Sequence, residues 1–140
     1  NEWYKAAYYD GNGGYTQYPW QSNSVTTSDA NYGTGTPTDV GTYAAHPSHY
    51  GTFDQGGNVW EWNDAIVSTS RRGLRGGSFD DFFPNNLQSS NRNSADPTSE
   101  NGSYGFRVTS LAPIPEPSAY AAILGCLGLT IAAVRRKGRA

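Results

Sequence analysis

The sequence predicts a loop-rich domain of short strands with one short helix, followed by a helix suited to a membrane. Three observations carry this reading. Seventeen glycines, with abundant Asn, Ser, Thr and Asp, supply turns and positive φ angles, while 4 Trp, 10 Tyr and 5 Phe supply large buried rings. Apolar side chains recur at helical spacing only in the first eleven residues of the globular part. The chain ends in an apolar run followed by arginines. The aromatic content separates it from disordered chains, which are poor in such residues.

A length of 140 residues suits one domain. The chain contains no Met, so a fragment or processed product is expected, with an N-terminal part preceding Asn1. In NEWYKAAYYDG, Trp3, Ala6 and Ala7 share a helical face and Gly11 can end the turn. Residues 21–39 hold only Val25, Ala30 and Tyr32 as apolar side chains and read as a surface loop. DVGTY, GNVWEWND, GLRGGSF and YGFRVTS then read as short strands between long Gly/Asn/Ser connections.

Charge divides the chain. Residues 1–112 carry six Lys/Arg and eleven Asp/Glu, and residues 113–140 carry four and one. An acidic globular part offers no basic face for nucleic acid, whose phosphates demand one. The single cysteine, Cys126, lies in the apolar tail, which leaves the globular part without a disulfide, a thiolate metal site or a thiol nucleophile.

In the tail, Pro113, Pro115 and Pro117 make residues 112–118 an extended linker. Residues 119–134 then run for sixteen positions without a charge. A membrane crossing takes roughly 17–25 residues, and Ser118 with snorkelling arginines extends the reach. Arg135, Arg136, Lys137 and Arg139 in residues 135–140 predict a cytoplasmic end, with the domain on the other side. Pro115-Glu116-Pro117, the apolar stretch and the basic end resemble the PEP-CTERM sorting signal of certain Gram-negative bacteria. The resemblance implies export, an exosortase-type processing enzyme as partner, anchoring through the C-terminal helix, and residence at the cell surface or in the extracellular matrix.

Within GGNVWEWND an extended backbone points Trp60 and Trp62 one way and Val59, Glu61 and Asn63 the other. Two rings on one face anchor a core. Glu61, beside an irregular glycine turn, suits a hard cation, and it equally suits capping of backbone N–H groups or pairing with an arginine.

Taken together, these blocks resemble the formylglycine-generating enzyme family, the sulfatase-modifying-factor domain. NEWYKAAYYDG is similar to its Glu-Trp helix, YPW to its Tyr-Pro-Trp segment, and DANYG to its Ala-Asn block. DVGTY, HYGTFDQGGNVWEWND, RGGSF, SSNRN and YGFRV continue the series in order over residues 1–111. The resemblance implies the C-terminal part of an irregular α+β domain related to the C-type lectin fold. It also implies a structural Ca²⁺, held by the carbonyls of Asp54, Gly57 and Val59 and by the Glu61 carboxylate. A second family calcium site uses Asn31 and the Tyr32 carbonyl, and the acidic loop that completes it is shortened here.

The family's oxidases place two copper-binding cysteines after Arg-Gly-Gly-Ser, at positions that fall here on Asp81 and Asn86. Neither carboxylate nor amide replaces a thiolate for Cu(I), so copper and formylglycine-generating oxidase activity are not expected. Asp80 and Asp81 are neighbours on an extended strand and point apart, which disfavours a shared acid/base pair. His46 and His49 have no third ligand near in sequence and read as loop residues. Gly76 and Gly77 allow close backbone approach, with Ser78 satisfying a turn, and Arg75, Arg92 and Arg107 are expected to pair inside the fold.

Asp80, Asp81, Phe82, Phe83 and Asn85 occupy the loop where the family binds its substrate peptide. Either the two rings face solvent, where they could stack on sugars, or they belong to the core. The resulting expectation is an exported, non-catalytic binding domain for exopolysaccharide or peptide. An enzyme of the same family with non-copper chemistry and a structural matrix protein are the alternatives. A bound redox metal would favour the enzyme, and self-association without a soluble ligand the matrix protein.

Overall fold

The computed structural model describes residues 2–109 of the chain. The linker 112–118, the apolar stretch 119–134 and the basic end 135–140, with Pro115, Glu116, Pro117, Arg135 and Arg136, lie outside the described residues. Among the described residues, no helix is long and apolar enough to cross a membrane.

The domain is α+β with little regular structure. Helix α1 spans Glu2–Tyr8, strand β1 Trp60–Ser68, strand β2 Arg71–Arg75, strand β3 Asn93–Ala95 and strand β4 Tyr104–Gly105, with a 3-10 turn at Pro84–Leu87. One four-stranded sheet orders these β3-β2-β1-β4. Neighbours β1/β2 and β2/β3 are antiparallel, and β1/β4 is parallel.

A helix of seven residues does not persist alone in water, so α1 depends on what its buried face meets. That face is Trp3, Ala7 and Tyr8, the i, i+4 pair plus the next residue, while Ala6 is only half-buried. The helix stops at Tyr8, before Gly11, because the Asp10 carboxylate accepts the N–H groups of Asn12 at 2.8 Å and Gly14 at 2.9 Å and folds the chain into a turn. These two bonds also hold the Asp10 carboxyl below the usual carboxylate range.

The β1/β2 hairpin turns at Thr69 and Ser70, and its register slips twice, after Asn63 and after Ile66. The first bulge follows from side-chain chemistry. Asn63 Oδ1 accepts the N–H of Ala65 at 3.1 Å, and Gly73 leaves the space that the Asn63 amide fills. Trp60 and Trp62 lie in one cluster with Leu74, Ala95 and Tyr104, as the alternation within β1 predicts. A second cluster gathers Trp3, Ala7, Tyr8 and Tyr4, and a third gathers Tyr18, Ala30 and Leu87 with Trp20, Val25 and Tyr32.

Two sequence expectations are corrected. DVGTY is a run of turns, because Asp54 withdraws its amides from any ladder. The Asp54 carboxylate accepts Gly41 N–H at 2.5 Å and Tyr43 N–H at 3.3 Å, and local bonds Thr42 to Asp39 and Ala44 to Gly41 close the turns. The stretch 21–39 is not wholly surface, since Ala30 and Asn31 are buried at its centre.

Candidate functional site

The loop after β2 is pinned at both ends, and that decides where its aromatic residues point. At Gly76, with φ +96°, a Cβ would stand 2.7 Å from the Gln55 carbonyl, and the Gly76 carbonyl accepts Gly57 N–H at 2.7 Å. The double glycine therefore serves backbone approach, as the sequence suggests. Ser78 is buried, and its N–H and hydroxyl both donate to Asp81 Oδ2, at 2.7 and 2.9 Å. Asn86 Nδ2 donates to Asp81 Oδ1 at 2.5 Å, and Asn91 Nδ2 donates to Asn86 Oδ1 at 3.2 Å.

The two positions where the resemblance places cysteines are thus brought together, as an Asp–Asn hydrogen-bonded pair. With the Asp81 carboxylate turned inward and Leu87 fully buried at the other end, the residues between them are pushed out. Phe82 is 80% exposed and Phe83 72% exposed, so both rings face solvent and neither belongs to the core. Asp80 and Asn85 are exposed beside them. The loop rests on a second loop whose Thr34 and Gly35 N–H groups both donate to the Phe79 carbonyl at 3.1 Å.

Asn31 and Asn58 support this platform. Asn58, at φ +64°, donates its backbone N–H to the Asn31 carbonyl at 2.8 Å and accepts Phe79 N–H at 2.9 Å. Its side-chain amide exchanges bonds with Thr38, while Asn31 Nδ2 donates to the Thr36 carbonyl at 2.9 Å and Asn31 Oδ1 accepts Thr34 Oγ1 at 2.5 Å. Asn31 is buried, with Nδ2 donated to Thr36 and Asn58 and one Oδ1 lone pair taken by Thr34.

The residues of the other expected calcium site converge on an arginine. Glu61 is buried on β1, and Arg107 grips its carboxylate in a fork, Nε to Oε2 and Nη2 to Oε1, both at 2.6 Å. The Trp3 indole N–H donates to the same Oε2 at 2.5 Å. Arg107 Nη1 and Nη2 also donate to the carbonyls of Phe53 at 3.0 Å and Asp54 at 3.1 Å. Arg107 thus holds two of the four members of the Asp54, Gly57, Val59 and Glu61 set, the Asp54 carbonyl and the Glu61 carboxylate. Among the described residues no cluster of three or more His, Cys, Asp or Glu side chains forms. An open cleft of ≈ 440 Å³ adjoins this pair, lined by Val40, Phe53, Val59 and Phe106 among others.

The remaining expected residues separate. Arg75 pairs inside as predicted, donating to the carbonyls of Ser89 at 3.0 Å and Asn91 at 2.7 Å, with its guanidinium 4.7 Å from the Tyr4 ring. Burial lowers its pKa from the ordinary arginine value. Arg92, just before β3, is exposed and does not pair inside the fold as expected. His46 pairs with Asp29 at 3.4 Å, while His49 packs edge-on against Tyr9 and Tyr50. The sequence admits an arginine partner for Glu61 without identifying which arginine. Arg107 follows β4, Tyr104–Gly105, which pairs parallel with β1 and sets Gly105 opposite Glu61.

The domain described by the family model "Sulfatase-modifying factor enzyme 1-like domain" matches residues 1–111. The chain belongs to this family. Its fold agrees with solved structures of related architecture. Treponema denticola variable protein 1 superposes with a TM-score of 0.60 at 25% identity, over 75% of this chain and 43% of that one. The crystal structure of CarF gives a TM-score of 0.50 at 25% identity, over 75% of this chain and 43% of its own. The chain therefore spans less than half the length of either. No curated protein sequence matches it.

Proposed function

We propose that this chain is a non-catalytic binding domain on a sulfatase-modifying-factor scaffold, exported by its Pro-Glu-Pro sorting tail and displayed at the cell surface or in the surrounding matrix. The observation that carries the reading is the loop 80–86. Asp81 and Asn86, where the family resemblance places cysteines, are hydrogen-bonded to each other, and Phe82 and Phe83 between them are both exposed to solvent. Copper chemistry has no thiolate there, since Cys126 is the chain's one cysteine and lies in the apolar tail. Two exposed rings flanked by Asp80 and Asn85 offer what a polysaccharide needs: apolar faces for the C–H side of a sugar, and acceptors and donors for its hydroxyls. The exosortase-type processing enzyme and the membrane helix belong to the same proposal and rest on the tail's composition.

The test is retention of the full chain on polysaccharide from the producing cell, compared with the Phe82→Ala/Phe83→Ala double variant. Both side chains are exposed, so the variant keeps the fold. Its affinity is expected to fall about five- to 150-fold, the equivalent of about 0.5–1.5 kcal/mol for each stacked ring. Equal retention of both proteins removes the loop as the site. Retention of a peptide library in place of polysaccharide keeps the loop and changes the ligand class.

A further inference from the structure

We infer that Arg107 is the resident cation of this domain, with its guanidinium standing where the family resemblance implies a structural calcium ion. The argument is geometric. Calcium bonds oxygen at about 2.3–2.6 Å. Arg107 Nη2 lies 3.1 Å from the Asp54 carbonyl and 2.6 Å from Glu61 Oε1, so an ion bonded to both oxygens from the guanidinium's side would meet Nη2. On that side ion and guanidinium compete for the same two oxygens, and their like charges repel.

The chemistry of the donor set agrees. A calcium site gathers six to eight oxygens, commonly with several carboxylates. Here one carboxylate meets one guanidinium, so the charges balance without a metal. Four of the five guanidinium N–H groups are used, two on Glu61 and one each on the Phe53 and Asp54 carbonyls. The third bond to Glu61, from Trp3, fills the remaining capacity of Oε2. What a metal does elsewhere by joining separate segments, Arg107 does here covalently attached to the chain. It ties the 53–54 turn and β1 to the residues following β4, and through Glu61 it reaches helix α1.

The inference is independent of what the Phe82–Phe83 loop binds. It is tested on the full 140-residue chain by thermal unfolding in chelator and in excess calcium, and by calorimetric titration of the chelator-treated protein with calcium. The unmodified chain is expected to keep one midpoint in both solutions and to bind no calcium at the domain. Arg107→Ala removes the guanidinium and uncovers the oxygens. It is expected to melt well below the parent in chelator and to recover by about 10 °C when calcium exceeds its Kd about a hundredfold. Calcium binding with a raised midpoint in the unmodified chain overturns the inference, and so does a folded Arg107→Ala variant that ignores calcium. Should Arg107→Ala fail to fold in either solution, the titration of the unmodified chain decides alone. Glu61→Gln then serves as a control, because it must abolish any calcium response at this site.

Discussion

Tyr8 shows how much one side chain can decide in a fold with few regular elements. It is fully buried, packs against Trp3 and Tyr4, and donates its hydroxyl to the Leu87 carbonyl at 2.9 Å, which joins the helix to the far side of the domain. Burial raises its pKa well above the usual phenol value, against the lowering effect of Arg75. A raised folded value means the neutral donor contributes its stability in full below the unfolded pKa of about 10 and loses it as pH climbs towards the folded one. Tyr8→Phe keeps the ring and leaves the Leu87 carbonyl without its donor. It is expected to cost about 1–3 kcal/mol in urea unfolding at neutral pH. A loss under about 0.5 kcal/mol would mean that water takes over the bond. At this scale the sequence identifies anchors by ring size and cannot identify their partners. Tyr8 and Leu87 are 79 residues apart, as no local pattern reveals, and Glu61 meets Trp3 and Arg107 across 58 and 46 residues.

Among the elements, the glycine turn before β1 carries the tightest constraint. Gly57 has φ +77°, and a Cβ there would lie 2.3 Å from the Asn31 carbonyl oxygen. Two costs then add: left-handed strain of about 1–2 kcal/mol and crowding of about 1–3 kcal/mol. Gly57→Ala is therefore expected to lose about 2–5 kcal/mol. Gly51→Ala, at φ +73° with nothing within 4 Å of the new methyl, meets the strain alone. Equal losses for the two variants, measured by thermal unfolding, would remove the crowding argument. The strands divide along the same line. Trp60 and Trp62 alternate cleanly and mark β1 in the sequence, and the glycines after β2 mark a close approach. DVGTY carries the same strand-like composition, yet the Asp54 carboxylate eleven to thirteen residues further on claims its amides. A period of two is readable along the chain. Competition from a distant carboxylate is not.

Across the whole domain, three aromatic clusters are separate in packing and joined by polar bonds between distant segments. The helix cluster holds to the Leu87 cluster through Tyr8, and Glu61 ties Trp3 of the helix to β1, whose Trp60 centres the sheet cluster. Arg107 closes the circuit from the end of the compact unit, which runs to that residue. None of these parts suffices alone: a seven-residue helix is marginal, and a sheet whose outer strands span three and two residues has little ladder of its own. Each cluster lends the others the burial they lack, so all three should be lost together. The chain's four tryptophans, at 3, 20, 60 and 62, report on all three clusters. Urea unfolding followed by their fluorescence is expected to show one transition. Amide exchange in α1, in β1 and at Leu87 should report a common opening free energy. Helix amides that exchange well before those of β1 would show that the Trp3 and Tyr8 bonds only decorate an independently stable sheet. A shared value would establish them as the couplings that make one domain of a chain with so little regular structure.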